Sequence, residues 1–197
     1  MSSTVKHNEQ LLKIVLTGLT AALAYVVFTF LQIKIPIGGD TQSIHLGNAI
    51  VVLGALLLGS LYGGLGGAIG LVIGDLFDPI YILSAPKTFL MKFLIGLIVG
   101  FVAHRLGKIT HESDPKKYFK WVLMASIAGL LFNAIFDPII GYFYKLLILG
   151  KPAAELSISF RFATTALNSV VSVIVSTLLY MAVRPALEKA HLLPKVK

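Results

Sequence analysis

Five long apolar segments without Asp, Glu, Lys or Arg constrain this chain more than any other feature of its sequence. The hydrocarbon core of a bilayer is about 30 Å thick, so a helix that crosses it needs roughly 20 apolar residues. Hydrophobic residues make up 56% of the 197 residues, and charged residues only 13%. An integral membrane protein is therefore predicted, with apolar segments at Ile14–Gln32, Leu46–Gly74, Phe93–Ala103, Trp121–Phe136 and Phe162–Val183.

The second apolar segment is too long for one ordinary span. A glycine-rich run at 59–64 interrupts it and favours a tight turn, so the segment is interpreted as a helical hairpin of two short spans. This interpretation predicts an all-α bundle of six transmembrane helices in a single domain over residues 1–197. The predicted helices cover roughly 11–33, 46–61, 64–79, 88–105, 119–143 and 160–183.

The distribution of Lys and Arg predicts the orientation of this bundle. With both termini in the cytoplasm, eleven basic residues lie on inner segments and five on outer segments. This asymmetry agrees with the positive-inside rule. The basic residues lie at helix ends, where anionic lipid attracts them, and this accounts for the net charge of +8. No nucleic acid is therefore predicted as a partner.

Polar side chains on the predicted helices, within the apolar segments or at their ends, are the candidate functional residues, because a charged group facing lipid costs several kcal/mol. In the predicted topology they gather in the outer half of the membrane. One interpretation is an internal ion pair of Lys92 with Asp75 or Asp137, and the other is a small-molecule pocket with aromatic walls; both can hold. The predicted substrate-binding residues are Asn48, Asp75, Tyr81, Lys92, Asn133, Phe136, Asp137 and Asn168.

Two of the carboxylates precede a proline, which disfavours helical geometry at that position. Asp78 and Asp137 are therefore also consistent with helix ends that reach water. For Asp137 the site interpretation stays equally open, because Asn133 lies one helical turn before it on the same face.

Small residues form ridges on two predicted helices. The glycines between Gly63 and Gly74 recur at spacings of four, which permits close helix packing. The first helix carries Gly18 and Ala22 at the same spacing, with Ala21 beside them. Its small-residue face is consistent with packing inside the bundle and with docking to another membrane protein.

The sequence shows no motif for catalysis or energy coupling. The chain has no cysteine, its five histidines do not have the spacing of metal ligands, and no phosphate-binding glycine-rich motif occurs. No catalytic residue, metal or cofactor is predicted, and the protein is predicted not to be an enzyme. Two alternatives stay open: a stand-alone secondary transporter, and an intramembrane enzyme that uses Asp75 and Asp137 as an acid pair.

The segment from His45 to Gly59, the glycines that follow it, and the segment Lys87–Gly96 together resemble the S components of energy-coupling factor (ECF) vitamin transporters. This resemblance implies a subunit of the bacterial cell membrane that captures a vitamin at its outer face. It also implies two kinds of partner, a membrane-embedded T subunit and two ATPase subunits.

The resemblance implies roles for two further regions. Docking to the T subunit would use the small face at Gly18, Ala21 and Ala22, where the family has an Ala-x-x-x-Ala pattern. The connection between the first two helices would act as a lid over the ligand. Its implied lid residues are Gly38, Gly39, Asp40 and Gln42.

The ligand is expected to be a small vitamin. The helical hairpin most resembles the branch linked to pyridoxine and to the hydroxymethylpyrimidine precursor of thiamine. Aromatic walls with Asn and Asp suit such a hydroxylated heterocycle. A carboxylated vitamin such as pantothenate would instead depend on Lys92.

Overall fold

The computed structural model of the protein describes residues 3–37, 40–150 and 155–196. In these residues six α-helices and one β-hairpin follow one another along the chain. Helices α4 and α5 each continue into a π-helical segment, Phe101–Leu106 and Tyr144–Ile148. The elements are α1 Ser3–Phe30, β1 Gln32–Ile37, β2 Asp40–His45, α2 Gly47–Leu58, α3 Ser60–Leu76, α4 Ala85–Gly100, α5 Pro115–Phe143 and α6 Glu155–Lys189.

The connection between α1 and α2 is a β-hairpin, which the all-α prediction did not include. Strands β1 and β2 pair antiparallel, from Gln32 opposite His45 to Ile37 opposite Asp40. Ile33, Ile35 and Ile37 alternate along β1, and this β-branched pattern favours an extended strand over a polar loop. Of the implied lid residues, Gly38 and Gly39 lie outside the described residues, as does the side chain of Asp40.

Among the described residues, four helical segments are long and apolar enough to cross a membrane: His7–Phe30, Ile82–Leu106, Pro115–Ile148 and Ile158–Lys189. Helices α2 and α3 are apolar but shorter, with 12 and 17 residues. At 1.5 Å per residue they are about 18 and 25 Å long, less than the hydrocarbon thickness. The chain is thus a multi-pass membrane protein in which two of the six helices are short.

Glycines bring α3 into backbone contact with its neighbours. Helices α2 and α3 are separated by Gly59 alone, whose φ of +83° favours glycine. A Cβ added to Gly63 would lie 2.3 Å from the backbone of Gly54 in α2, and one added to Gly70 would lie 2.2 Å from the Ala21 carbonyl oxygen in α1. The glycine ridge therefore packs inside the bundle.

The two aspartates that precede proline lie in different local structures, one after the end of a helix and one inside a helix. Helix α3 ends at Leu76, and Asp78 lies in the turn that follows, where its carboxylate accepts from the Ile80 N–H (3.1 Å) and pairs with Lys34 of β1. Asp137 instead lies inside α5, which continues through Pro138. Membrane helices accommodate an internal proline where neighbouring groups and local π-helical adjustment satisfy the backbone.

The end of the bundle opposite the β-hairpin is closed by a buried arginine. Arg184 of α6 donates to the Glu112 carbonyl (2.8 Å) and to the Glu188 carboxylate (2.7 Å), and it lies 4.0 Å from the centroid of the Tyr118 ring. His104 nearby contacts the Ala55 carbonyl at 3.1 Å. The Arg184 contacts join α6 to α5 and to the loop before α5, and the His104 contact joins the π-helical segment after α4 to α2. The cavity described below lies at the opposite end.

Gly63→Ala is expected to destabilise the bundle, because its new methyl group would meet the backbone of α2, which cannot rotate away. Overpacking of this kind costs about 1–3 kcal/mol. Thermal unfolding in detergent should therefore give a lower Tm than the wild type.

Gly18→Ala is the matched control, because nothing lies within 4 Å of the position that its Cβ would take. It should melt at or above the wild-type Tm, since alanine is the better helix former. Equal melting of Gly63→Ala and wild type would contradict the close contact of α2 and α3.

Candidate ligand-binding site

A cavity of about 340 Å³ lies at the β-hairpin end of the bundle. Residues of α1, β2 and α2–α6 contribute to its wall, so it forms where most elements of the fold meet. Seven of the eight predicted substrate-binding residues line it, together with Gln42 of the implied lid. These seven are Asn48, Asp75, Tyr81, Lys92, Asn133, Asp137 and Asn168.

Phe136 is the predicted site residue that does not line the cavity. It is 43% exposed on the outer surface of α5 and stacks on Phe132, with ring centroids 4.8 Å apart. Because it directly precedes the inward-facing Asp137, it points about 100° away around the helix. The aromatic wall comes instead from Phe28 and Tyr81, whose ring centroids are 6.4 Å apart.

The ion pair in the cavity wall joins Asp137 to Lys87 rather than to Lys92. The Lys87 ammonium lies 2.8 Å from the Asp137 carboxylate, and both side chains are about one-tenth exposed. Lys87 lies one residue before the predicted fourth helix, 88–105, and was not among the predicted site residues. Pro86 at the start of α4 was the available signal, because proline in the first turn places Lys87 on the helix.

Lys92 is buried and donates a hydrogen bond of 3.1 Å to the Asn133 side-chain oxygen. An ammonium group has three N–H donors, so this bond uses only one of them. In the described part of the chain Lys92 forms no salt bridge, unlike the alternative that paired it with Asp75 or Asp137.

Three buried side-chain atoms in the cavity wall have no hydrogen-bond partner among the described residues: Asn48 Oδ1, Asp75 Oδ2 and Asn133 Nδ2. Leaving such an atom buried and unsatisfied costs about 1–3 kcal/mol. Two of the three are acceptors and one is a donor, so the cavity offers complementary positions to an organic ligand with both kinds of group. The described residues hold no group of three or more His, Cys, Asp or Glu side chains suited to a metal ion.

Asn168 attaches the β-hairpin to α6. Its Nδ2 donates to the Ser43 carbonyl (2.8 Å), and its Oδ1 accepts from the His45 backbone N–H (3.1 Å). Both ends of the amide are thus engaged by β2, although Asn168 was predicted to contact the ligand. That prediction rested on depth in the membrane, which does not distinguish ligand contact from contact with the hairpin.

His45 closes the cavity at the end of β2. Burial, reinforced by the nearby Lys92 ammonium, lowers the pKa of His45 to about 3, so its imidazole is neutral at physiological pH. Its Nδ1 accepts from the Gly47 N–H at 3.1 Å, which places the ring proton on Nε2. His45 was not among the predicted site residues.

The predicted docking residues on α1 are divided between two surfaces. Gly18 and Ala22 lie on an exposed face together with the apolar side chains of Val15, Leu19 and Val26. Ala21 is partly buried, and its carbonyl contacts α3 at Gly70. The exposed part of the predicted docking face therefore consists of Gly18 and Ala22.

The family model described as "ECF-type riboflavin transporter, S component" matches residues 8–185 of the chain. The match includes α2 to α5, most of α1 and α6, the β-hairpin and every described residue that lines the cavity. Comparison with curated proteins gives no match, and comparison with solved structures gives none either.

Asn168→Ala is expected to loosen the β-hairpin, because it removes both hydrogen bonds that the Asn168 side chain forms with β2. Amide hydrogen exchange at 40–45 should become about 5- to 150-fold faster, as follows from losing about 1–3 kcal/mol of local stability.

Ser169→Ala serves as the control, since the neighbouring hydroxyl is equally buried but has no hydrogen-bond partner among the described residues. Its exchange at 40–45 should match that of the wild type. Unchanged exchange in Asn168→Ala would mean that the amide does not hold the hairpin.

Proposed function

The chain belongs to the S-component family of ECF-type riboflavin transporters, and we propose that it captures its vitamin in the cavity beneath the β-hairpin. The observation that carries this proposal is a set of three polar atoms, from Asn48, Asp75 and Asn133, that are buried in the cavity wall without a hydrogen-bond partner in the described part of the chain. A vitamin with hydroxyl, carbonyl or ring nitrogen groups would satisfy them. The family is one of transporter subunits and not of enzymes.

Two vitamin classes are supported by different observations. Riboflavin is named in the description of the family model. Pyridoxine and hydroxymethylpyrimidine are smaller, and they suit a volume of about 340 Å³, near the lower end of the usual range of about 300–1,000 Å³ for ligand sites. Either class has a heteroaromatic ring that Phe28 and Tyr81 would contact.

The orientation of the protein follows from the same proposal. The β-hairpin end would face outward, so that the cavity receives ligand from outside the bacterial cell membrane. All six helices would then cross or nearly cross the bilayer with both termini in the cytoplasm, in agreement with the excess of Lys and Arg on the inner segments. The β-hairpin, including Gln42, would cover the bound vitamin as a lid.

Energy for uptake would come from partner subunits, a membrane-embedded T subunit and two ATPases. The exposed face of α1 supports this assignment, because only 11% of the most apolar 18-residue stretch of this helix is buried inside the bundle. Gly18 and Ala22 would let a partner helix approach closely, as small residues do in membrane interfaces.

The test of the proposed function is isothermal titration calorimetry on the purified full chain with riboflavin, pyridoxine and hydroxymethylpyrimidine. We expect micromolar or tighter binding of at least one vitamin, and no better than millimolar binding of all three would contradict the proposal. Asn133→Ala should weaken that binding about 5- to 150-fold by removing a buried polar contact. Leu131→Ala, on the exposed side of the same helix, should leave it unchanged.

The double variant Gly18→Leu/Ala22→Leu is expected to abolish vitamin uptake by the complete transporter while preserving vitamin affinity. Leucine at these positions would hold a partner helix away without clashing inside the bundle, since the space around Gly18 is open. Uptake in vesicles with the partner subunits and ATP measures the effect.

Ala166→Leu is the control for the docking experiment, because it places the same side chain on an exposed position of α6. Its uptake should equal that of the wild type. Normal uptake by the double variant would show that the partner docks elsewhere, and ion-driven uptake without any ATPase would favour a stand-alone transporter.

A further inference from the structure

His45, the last residue of β2, is held in one orientation by contacts with three helices. Its Nδ1 accepts a hydrogen bond from the backbone N–H of Gly47 in α2 (3.1 Å). Its ring packs edge-to-face on Phe28 of α1, with centroids 4.9 Å apart. Asn168 of α6 accepts from the His45 backbone N–H (3.1 Å). The backbone and the ring of His45 are therefore both fixed relative to the cavity.

This fixed ring presents its second nitrogen as a hydrogen-bond donor. Because burial lowers the pKa of His45 to about 3, the ring is neutral and carries a single proton. A backbone N–H can only donate, so Nδ1 is the acceptor and Nε2 carries that proton. Within the described residues the imidazole forms no hydrogen bond besides the one at Nδ1. An acceptor brought by a ligand would therefore complete the hydrogen bonding of the ring.

The imidazole also lies beside the charged groups of the cavity. His45 lines the cavity wall, and the charges of Lys92, Asp137 and Lys87 all act on its ring. The Asp137 carboxylate is directed at Lys87, 2.8 Å away, and not at the imidazole. The ring proton of His45 thus remains available at the end of the cavity that the β-hairpin forms.

We propose that Nε2–H of His45 donates a hydrogen bond to an acceptor on the ring system of the ligand, a carbonyl oxygen or a ring nitrogen. This inference rests on the proposed function and adds a binding residue with a defined role. The acceptor would lie at the edge of the heterocycle that contacts Phe28, because Phe28 and His45 adjoin each other in the wall. The hydrogen bond would also join the ligand to the β-hairpin.

Two substitutions separate the roles of the two ring nitrogens. The side-chain oxygen of asparagine lies near the position of Nδ1, so His45→Asn keeps an acceptor for the Gly47 N–H, as in an Asx turn, but has no atom at the position of Nε2. The amide nitrogen of glutamine reaches the position of Nε2. His45→Gln therefore retains a donor there and loses the acceptor at Nδ1.

Calorimetry with riboflavin, pyridoxine and hydroxymethylpyrimidine measures the affinity of both variants, and thermal unfolding in detergent measures their stability. His45→Asn is expected to bind the vitamin that the wild type binds about 5- to 150-fold more weakly, at an unchanged Tm. His45→Gln is expected to bind it within about threefold of the wild type, at a lower Tm, because the Gly47 N–H loses its acceptor.

The outcomes separate this inference from the proposed function. Wild-type affinity in His45→Asn, or equal weakening in both variants, would overturn the role of Nε2 and leave vitamin binding established. A purely structural role of His45 would make affinity follow Tm, with the weaker binding in His45→Gln, and would overturn it too. If His45→Gln does not fold, His45→Asn alone decides. No better than millimolar binding of all three vitamins by the wild type would overturn both proposals.

Discussion

The architecture depends on one helix whose contacts with its neighbours are made largely by glycines. Helix α3 presents Gly63 to α2, Gly64 to α4 and Gly70 to α1, and at each contact an added Cβ would meet a neighbour at 3.4 Å or less. Backbone contact of this kind replaces the interdigitated side chains of ordinary helix packing, and it suits a lipid environment in which association relies on van der Waals contact. Because three helices are fixed against α3, its last turn delivers Asp75 to the cavity at a defined position.

The cavity is built from buried polar groups that other parts of the fold only partly satisfy. Lys87 and Asp137 neutralise each other, and Asn168 is occupied by β2. Such contacts secure the wall, since removing one partner of a buried ion pair is strongly destabilising. The remaining atoms, on Asn48, Asp75 and Asn133, have no hydrogen-bond partner among the described residues and are the ones that the proposed ligand would contact. The same wall would then combine groups that stabilise the fold with groups that recognise the ligand.

Much of this arrangement could be predicted because lipid imposes a simple rule on sequence. Charge-free segments indicate helices, and the rare polar residues within them must face inward, which brought Asn48, Asp75, Lys92 and Asn133 into the predicted site. The depth of a residue in the membrane does not determine the side of the helix on which its side chain lies. Phe136 was therefore included in the predicted site although it faces outward.

The sequence patterns could not predict contacts between segments that are distant along the chain. The pairing of Lys87 with Asp137 spans 50 residues, and that of Asn168 with Ser43 spans 125. The β-hairpin was missed because its polar residues and glycines are typical of loops, while the alternating isoleucines of β1 are a short signal. The vitamin itself is not determined by residue types, since asparagines and lysines accept many ligands.

The double attachment of the β-hairpin through Asn168 has a kinetic consequence. A single amide provides both hydrogen bonds, so rotation of one side chain releases both contacts with β2 in one event. If the hairpin opens as the proposed lid, release of this amide would be one discrete step of the opening, alongside separation of Lys34 from Asp78. A bound molecule covered by the hairpin would have a residence time set by that step, and its dissociation rate would depend on a residue of α6 that need not contact it.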